Sequence, residues 1–501
     1  MQTARFAAEF GRLLRRLPHF SARLTVDIAL TEKYRRAVAP ASGHVLYTVE
    51  EKVMAALDLI VSGGTIVTPD GRRRADIGVR DGRIVAIGTL DASAVTVEDA
   101  GGLLILPGGV DTHVHLMDPG DTAREDFPSG TAAAAAAGVT TIVEHTHSHP
   151  VRTVTDLSAK IEYLDGRSDV DFGLAAHAWP GDEDVVPALW SAGVAFFKVF
   201  TCTTHGVPGH PAAALRTHLA ASAQVDAVSL LHCEDESLTE SAEAVLKAEG
   251  RTDFGVLTEW RSRDAELVAA AVAALLVRRT GARATVAHVS NPEVAEYLLA
   301  ERQRGARLAA EACPQYFLLR ETEVHEHGAL RKFTPPARAR TEDDEVQMWR
   351  LLRANTLTHL SSDHAPSTLE QKSNGDVWSA HFGLPGLDST FPILVDAAAR
   401  GHLSYEDVAR VYADAPAKAY GLWPRKGRIA VGADADLALL DPTAVRTIRN
   451  QDVLSKAGWT PFDGRAVSGR VVKTFLRGAV IAQDGHPARN RSGRFVPGAG
   501  R

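Results

Sequence analysis

Between about Gly108 and Tyr420 the chain alternates short apolar runs with alanine-rich stretches of helical character, and nothing else narrows its possible folds as much. Gly138-Val139-Thr140-Thr141-Ile142-Val143 follows an alanine run at Ala132–Ala137, and Ala284-Thr285-Val286-Ala287 follows the helical stretch Ala265–Arg279. A strand that reaches its neighbour only through a helix must pair with it in parallel, because hairpins are too short for that crossover. Repeated over this length, the pattern predicts an α/β fold, a (β/α)8 TIM barrel. Catalytic side chains in such a barrel sit at the C-terminal ends of the strands.

The flanks read differently. Leu57–Val61 leads through Ser62-Gly63-Gly64 into Thr65-Ile66-Val67, and Asp76–Val79 passes through Asp81-Gly82 into Arg83–Ile87. Asp-Gly between apolar runs is a hairpin signal. The same texture returns at Ala435–Leu440, Val471–Phe475 and Val480-Ile481. Both β-rich ends are expected to meet in one small β-sandwich. The expected division is therefore an N-terminal extension (1–53), the first part of the sandwich (54–108), the barrel (109–420), the second part of the sandwich (421–490) and a tail (491–501). The extension is arginine-rich and partly of helical spacing (Phe6, Phe10, Leu13, Leu14, Leu17). It lacks the compact apolar stretch of a signal peptide and reads as an accessory segment.

Composition excludes some functions. Fifty-five basic against 62 acidic residues, net charge −7, offer nothing to a nucleic acid. Three cysteines in 501 residues build no disulfide framework, which suits a reducing cytoplasm. No apolar run reaches the roughly 18 residues that span a bilayer.

The chemistry gathers where the apolar runs end. His113-Val114-His115 closes the run Leu103–Val110, and residues i and i+2 of an extended chain point to one side, so both imidazoles can reach one metal. Lys198 stands in the apolar segment Ala195–Phe200. It either snorkels to solvent or, carboxylated by CO2, becomes a carbamate able to bridge two cations. His232 follows Val228–Leu231, His288 follows Thr285–Ala287, and Asp363 follows Leu360–Ser362. Each histidine alone could be an ordinary core residue; six such groups at successive strand ends form a pattern. Glu144-His145-Thr146-His147-Ser148-His149 also ends a strand; its alternating histidines share a face, which would suit an extra metal or a substrate contact, and the segment reads first as a solvated loop with one substrate-facing histidine.

These segments, GVDTHVHL, FFKVF, LLHCED, AHVS, EACPQY, TPPAR and SSDHAP, resemble the cyclic-amide branch of the amidohydrolase superfamily, the hydantoinases and dihydropyrimidinases, allantoinases and dihydroorotases. The resemblance runs from about Leu57 to Gly485. It implies a barrel with a β-sandwich, and two divalent metal ions, zinc by default with manganese, nickel or iron possible in the same ligands. His113, His115, carboxylated Lys198 and Asp363 would bind one ion, and Lys198, His232 and His288 the other. A hydroxide bridging the ions would open a cyclic amide or ureide, with Asp363 as the proton-shuttling base. The expected partners are that small substrate and further copies of the chain, in a dimer or tetramer.

Substrate choice departs from each subgroup. Dihydroorotases keep an arginine two positions after the second histidine, where this chain has Met117. A thioether binds no carboxylate, so a neutral ring is expected; Arg124 lies close enough in sequence to challenge that expectation. Hydantoinases place a tyrosine five residues after the lysine, here Thr203, and the loop before the paired prolines carries Thr334. Met117, Thr203, Cys313 and Thr334 are thus the expected substrate contacts. A dihydroorotase-like enzyme, a lactone hydrolase of the same fold and a non-catalytic dihydropyrimidinase-like scaffold are the competing readings.

Overall fold

The structure is a computed structural model that describes residues 57–91 and 93–501. The expected extension, with its helical spacing, lies outside them.

Eight successive parallel strands follow the first flank, in the order Gly109–Val114, Val139–Glu144, Asp171–His177, Phe197–Phe200, Val228–His232, Arg283–Val286, Arg307–Ala312 and His359–Leu360. The third passes from one neighbour to the next around Ala175: Asp171–Leu174 pairs with the second strand and Ala176-His177 with the fourth. The ring closes where Val114 bridges His364 in parallel and His115 N donates to the His364 carbonyl at 2.8 Å. Helices such as Phe127–Ala137 and Arg263–Thr280 connect the strands. The alanines of the former are nearly all buried, so the helix lies close against its neighbours. Among the described residues no helix is long and apolar enough to cross a membrane.

Two sheets form the sandwich. One has strands in the order Arg83–Gly88, Asp76–Arg80, Leu57–Ser62, Ala94–Asp99. The other interleaves both ends of the chain, with Leu104–Pro107 between Thr65–Thr68 and Leu437–Thr447, and Ala466–Leu476 beyond. Side chains alternate between strand faces. Ile105, Leu437 and Leu439 therefore join Leu59, Ile77 and Phe475 in the sandwich core. Leu106, Ala438 and Leu440 face the other way into the barrel core. The Asp81-Gly82 turn has φ of 51° and 73°, the left-handed pair that a tight hairpin requires.

The run Leu103–Val110, read from sequence as one strand, breaks at Gly108. Leu104–Pro107 belongs to the sandwich and Gly109–Val114 to the barrel. A Cβ on Gly108 would lie 2.3 Å from Thr140, so only glycine lets the chain pass from one sheet to the other there. The last residues are also more than a tail. Phe172 N donates to the Arg494 carbonyl at 2.9 Å, Val496 N to that of Phe172 at 2.8 Å and Gly498 N to that of Gly193 at 2.9 Å.

Candidate metal centre

The six expected ligands come from five different strands yet meet at one end of the barrel. His113 lies near the end of the first strand and His115 directly follows it, Lys198 lies in the fourth, His232 is the last residue of the fifth, and His288 and Asp363 follow the sixth and eighth. His113 Nε2 is 3.1 Å from Lys198 Nζ and 3.2 Å from Asp363 Oδ1; His115 Nε2 is 3.5 Å from the same carboxylate oxygen. On the far side of Lys198, His232 Nδ1 and His288 Nε2 are 3.0 Å apart. Asp363 and His288 hold φ values of 49° and 39°, and Met117 beside them 56°. Each such left-handed residue costs about 1–3 kcal/mol, a strain that tends to gather at working sites.

The electrostatics fit cations. Burial pushes the imidazole pKa of His115 down to about 4 and those of His232 and His288 below their ordinary value. These rings are neutral near pH 7 and offer lone pairs. Burial would raise the Asp363 carboxyl, but His113 and His115 bring it below its usual range, so it is ionised. Lys198 is 1% exposed and burial pushes its amine down to about 8. It forms no ion pair among the described residues; its Nζ meets His113 and stands 5.2 Å from the centre of the Phe200 ring. Nitrogen facing nitrogen at 3.0–3.1 Å in so dry a place, with a carboxylate alongside, is a donor set that a divalent cation satisfies and a proton alone does not.

The surrounding shell fixes the rings. His113 Nδ1 meets Glu311 Oε1 at 2.6 Å, His115 Nδ1 meets the His145 carbonyl at 2.8 Å, and His232 Nε2 meets Glu234 Oε2 at 2.9 Å. Such contacts select the tautomer whose other nitrogen faces the metal. Glu234 also accepts from Thr334 Oγ1 (2.6 Å), Arg261 (3.0 Å) and Arg338 (3.1 Å). The sequence reading gave Glu311 and Glu234 no role, although each lies within a quoted segment, EACPQY and LLHCED.

A cavity of about 220 Å³ opens over the cluster, room for one small ring with a substituent. Met117 and Thr334 line it, together with Phe200, Phe333, Phe382 and Arg124. The other two expected contacts do not. Thr203 is exposed in a loop that doubles back at Thr204–Val207; its hydroxyl accepts from Gly209 N at 3.2 Å, and the tip presents His205 to the cavity instead. Cys313 is fully buried and outside the lining. The histidine-rich segment departs from the solvated loop expected of it. His145 is 1% exposed, and His147 lines the cavity, stacked on His205 at 4.9 Å. In that trio only His149 is exposed.

The profile of the amidohydrolase family matches residues 104–481, most of the chain. The chain belongs to that family. An allantoinase of Rubrobacter xylanophilus is 35% identical over 450 residues, covering 88% of this amidohydrolase and 98% of the relative. An L-hydantoinase of Paenarthrobacter aurescens is 33% identical, with 88% and 98% covered. Among solved structures, the L-hydantoinase (dihydropyrimidinase) from Arthrobacter aurescens superposes with a TM-score of 0.84 at 31% identity, covering 88% of this chain and 100% of that one. A D-hydantoinase gives 0.82 at 30%, with 88% and 98% covered. Membership of this family implies divalent metal binding, and the structure offers a histidine-rich candidate site for it.

Proposed function

We propose that this amidohydrolase opens a cyclic amide or ureide ring, in the manner of a hydantoinase or allantoinase. The observation that carries the reading is the convergence of His113, His115, Lys198, His232, His288 and Asp363 beneath a cavity of small-molecule size. His113, His115, Lys198 and Asp363 would hold one ion, and Lys198, His232 and His288 the other. Zinc is the default, and Lys198, carboxylated by CO2, would serve both ions. Among the described residues the amine forms no ion pair, and burial brings its pKa down to about 8, so it has enough free amine to take up CO2 and is relieved of an unpaired charge by doing so. The bound ions supply Lewis acidity and a hydroxide nucleophile near neutral pH.

The remaining steps fall to the chain's own residues. Asp363, ionised beside His113 and His115, takes the nucleophile's proton on an Oδ atom and returns it to the leaving ring nitrogen. Phe200, Phe333 and Phe382 hold the ring flat against the site and thin the water around it. Thr334, anchored on Glu234, orients the ring's polar edge.

The leading substrate is a neutral ring, since Met117 in the wall offers neither charge nor donor. A second reading has an observation of its own. Arg124 also lines the cavity, and its hydrogen bond to Pro366 and its ion pair with Asp121 both run through Nε. Its terminal nitrogens suit an anionic substituent. The proposal extends to a cytoplasmic homo-oligomer, a dimer or tetramer, supported by Val95 and Val97 exposed on the edge strand Ala94–Asp99.

The test is ring opening by metal-loaded protein of hydantoin, dihydrouracil, allantoin, dihydroorotate, cyclic imides and lactones. Turnover of a neutral amide or ureide above all others supports the leading reading. A preference for dihydroorotate favours the second, and activity on lactones alone overturns both.

A further inference from the structure

We infer that His145 is an additional protein ligand on the His113/His115 side of the metal centre, an inference that rests on the metal-site reading above. No expected ligand set included it. Its ring is 1% exposed, and among the described residues neither Nδ1 nor Nε2 has a hydrogen-bond partner. A buried imidazole of this kind leaves a donor and a lone pair unsatisfied. A native fold keeps such a group where something absent from the protein alone completes it.

The surroundings say what that is. One ligand atom each of His113, His115 and His145 lie within 4.8 Å of one another, the spacing of donors around a single cation. The His145 ring centre is 4.7 Å from that of His113 and 4.3 Å from that of His115, with Phe196 edge-on at 5.3 Å behind it. Among the described residues no carboxylate forms an ion pair with it, so a proton shared with a carboxylate is no substitute for the cation. The main chain is held on both sides: His145 N donates to the Val114 carbonyl at 3.0 Å, and its own carbonyl accepts from His115 Nδ1 at 2.8 Å. One residue thus orients a metal-facing ring with its carbonyl and brings in a second ring beside it.

The consequence concerns metal choice. His113, His115, Asp363 and the Lys198 carbamate give one ion four protein donors; His145 raises this to five, and a solvent or substrate oxygen to six. Zinc favours four donors, whereas manganese, iron, cobalt and nickel accept six. With His145 as a fifth protein donor, this side of the site suits one of the latter better than the default zinc.

Cobalt(II) reports donor number through its visible absorption, which is weak for six donors and stronger for five or four. Protein reconstituted with cobalt should hold two ions, and His145→Leu should absorb more strongly. The variant should also yield one ion to a competing chelator at least tenfold more readily, the scale expected even for a lost supporting contact. A folded His145→Leu that keeps two ions, the wild-type spectrum and chelator resistance within twofold would overturn the inference. Wild-type protein that fails to hold two ions would instead overturn the metal reading beneath it. A crystal structure of the metal-loaded wild type decides independently of any variant. A His145 nitrogen at roughly 2.0–2.2 Å from an ion supports the assignment, and a ring outside bonding distance refutes it.

Discussion

Replacing Glu234 separates what holds the fold from what holds the metal. Its carboxylate is fully buried and takes four hydrogen bonds: Oε2 from His232 Nε2 (2.9 Å), Arg261 (3.0 Å) and Thr334 (2.6 Å), and Oε1 from Arg338 (3.1 Å). Arg261 has no other carboxylate among the described residues, while Arg338 retains Glu266 at 3.5 Å. In Glu234→Gln the amide oxygen serves the three donors best from the Oε2 position, which turns the NH2 toward Arg338, donor against donor. One charge-assisted bond is lost, worth about 1.5–3 kcal/mol, and Arg261 keeps only a neutral acceptor. The expected loss of stability is about 3–5 kcal/mol, the scale of a broken buried ion pair. The bond from His232 survives, so metal affinity should fall by no more than about tenfold. Glu234→Ala removes that bond too and should weaken metal binding by about 10–100-fold. Urea denaturation of the metal-free protein followed by tryptophan fluorescence reads the first quantity, and chelator competition the second. A Glu234→Gln variant within about 1 kcal/mol of wild type would refute the account of the arginines. Unchanged metal affinity in Glu234→Ala would refute the account of His232.

Lys198→Ala should lose most bound metal by elemental analysis, since no neighbouring side chain can bridge the two groups of ligands; full occupancy would remove the bridging role. Asp363→Asn should fold with an unchanged circular dichroism spectrum while turnover collapses; activity within about tenfold of wild type, roughly 1.4 kcal/mol of barrier, would exclude Asp363 as the base. His218, buried against Ser229 (3.0 Å) and Ser222 (3.3 Å), has its pKa pushed down to about 3 by burial. The unfolded chain binds that proton near pH 6.5 and the folded one does not. The contribution is therefore full above pH 6.5 and is lost as pH falls toward 3, at up to about 1.4 kcal/mol per unit. Between pH 6.5 and 5 wild type should lose about 1.6 kcal/mol more than His218→Gln; equal slopes in urea denaturation would disprove it.

Much of this molecule is legible in its sequence because the signals are local. Apolar runs joined through alanine-rich helices dictate parallel pairing. That pairing puts strand ends on one face, so the sequence pattern already assigns His113, His115, Lys198, His232, His288 and Asp363 to one end of the barrel. Other features depend on residues far apart in the chain. Glu311 reaches His113 across 198 positions, and Arg338 reaches Glu234 across 104. No spacing rule anticipates such contacts, because they form only when distant strands close into a ring. Loop geometry is equally silent: the fold back at Thr204–Val207 withdraws Thr203 from the cavity and offers His205 instead. His145 is the sharpest case. In sequence it is one of several alternating histidines that would suit water, and only the packing of His113, His115 and Phe196 around it makes it a buried ring without a partner. Periodicity determines which way a side chain points, whereas burial depends on everything that arrives from elsewhere.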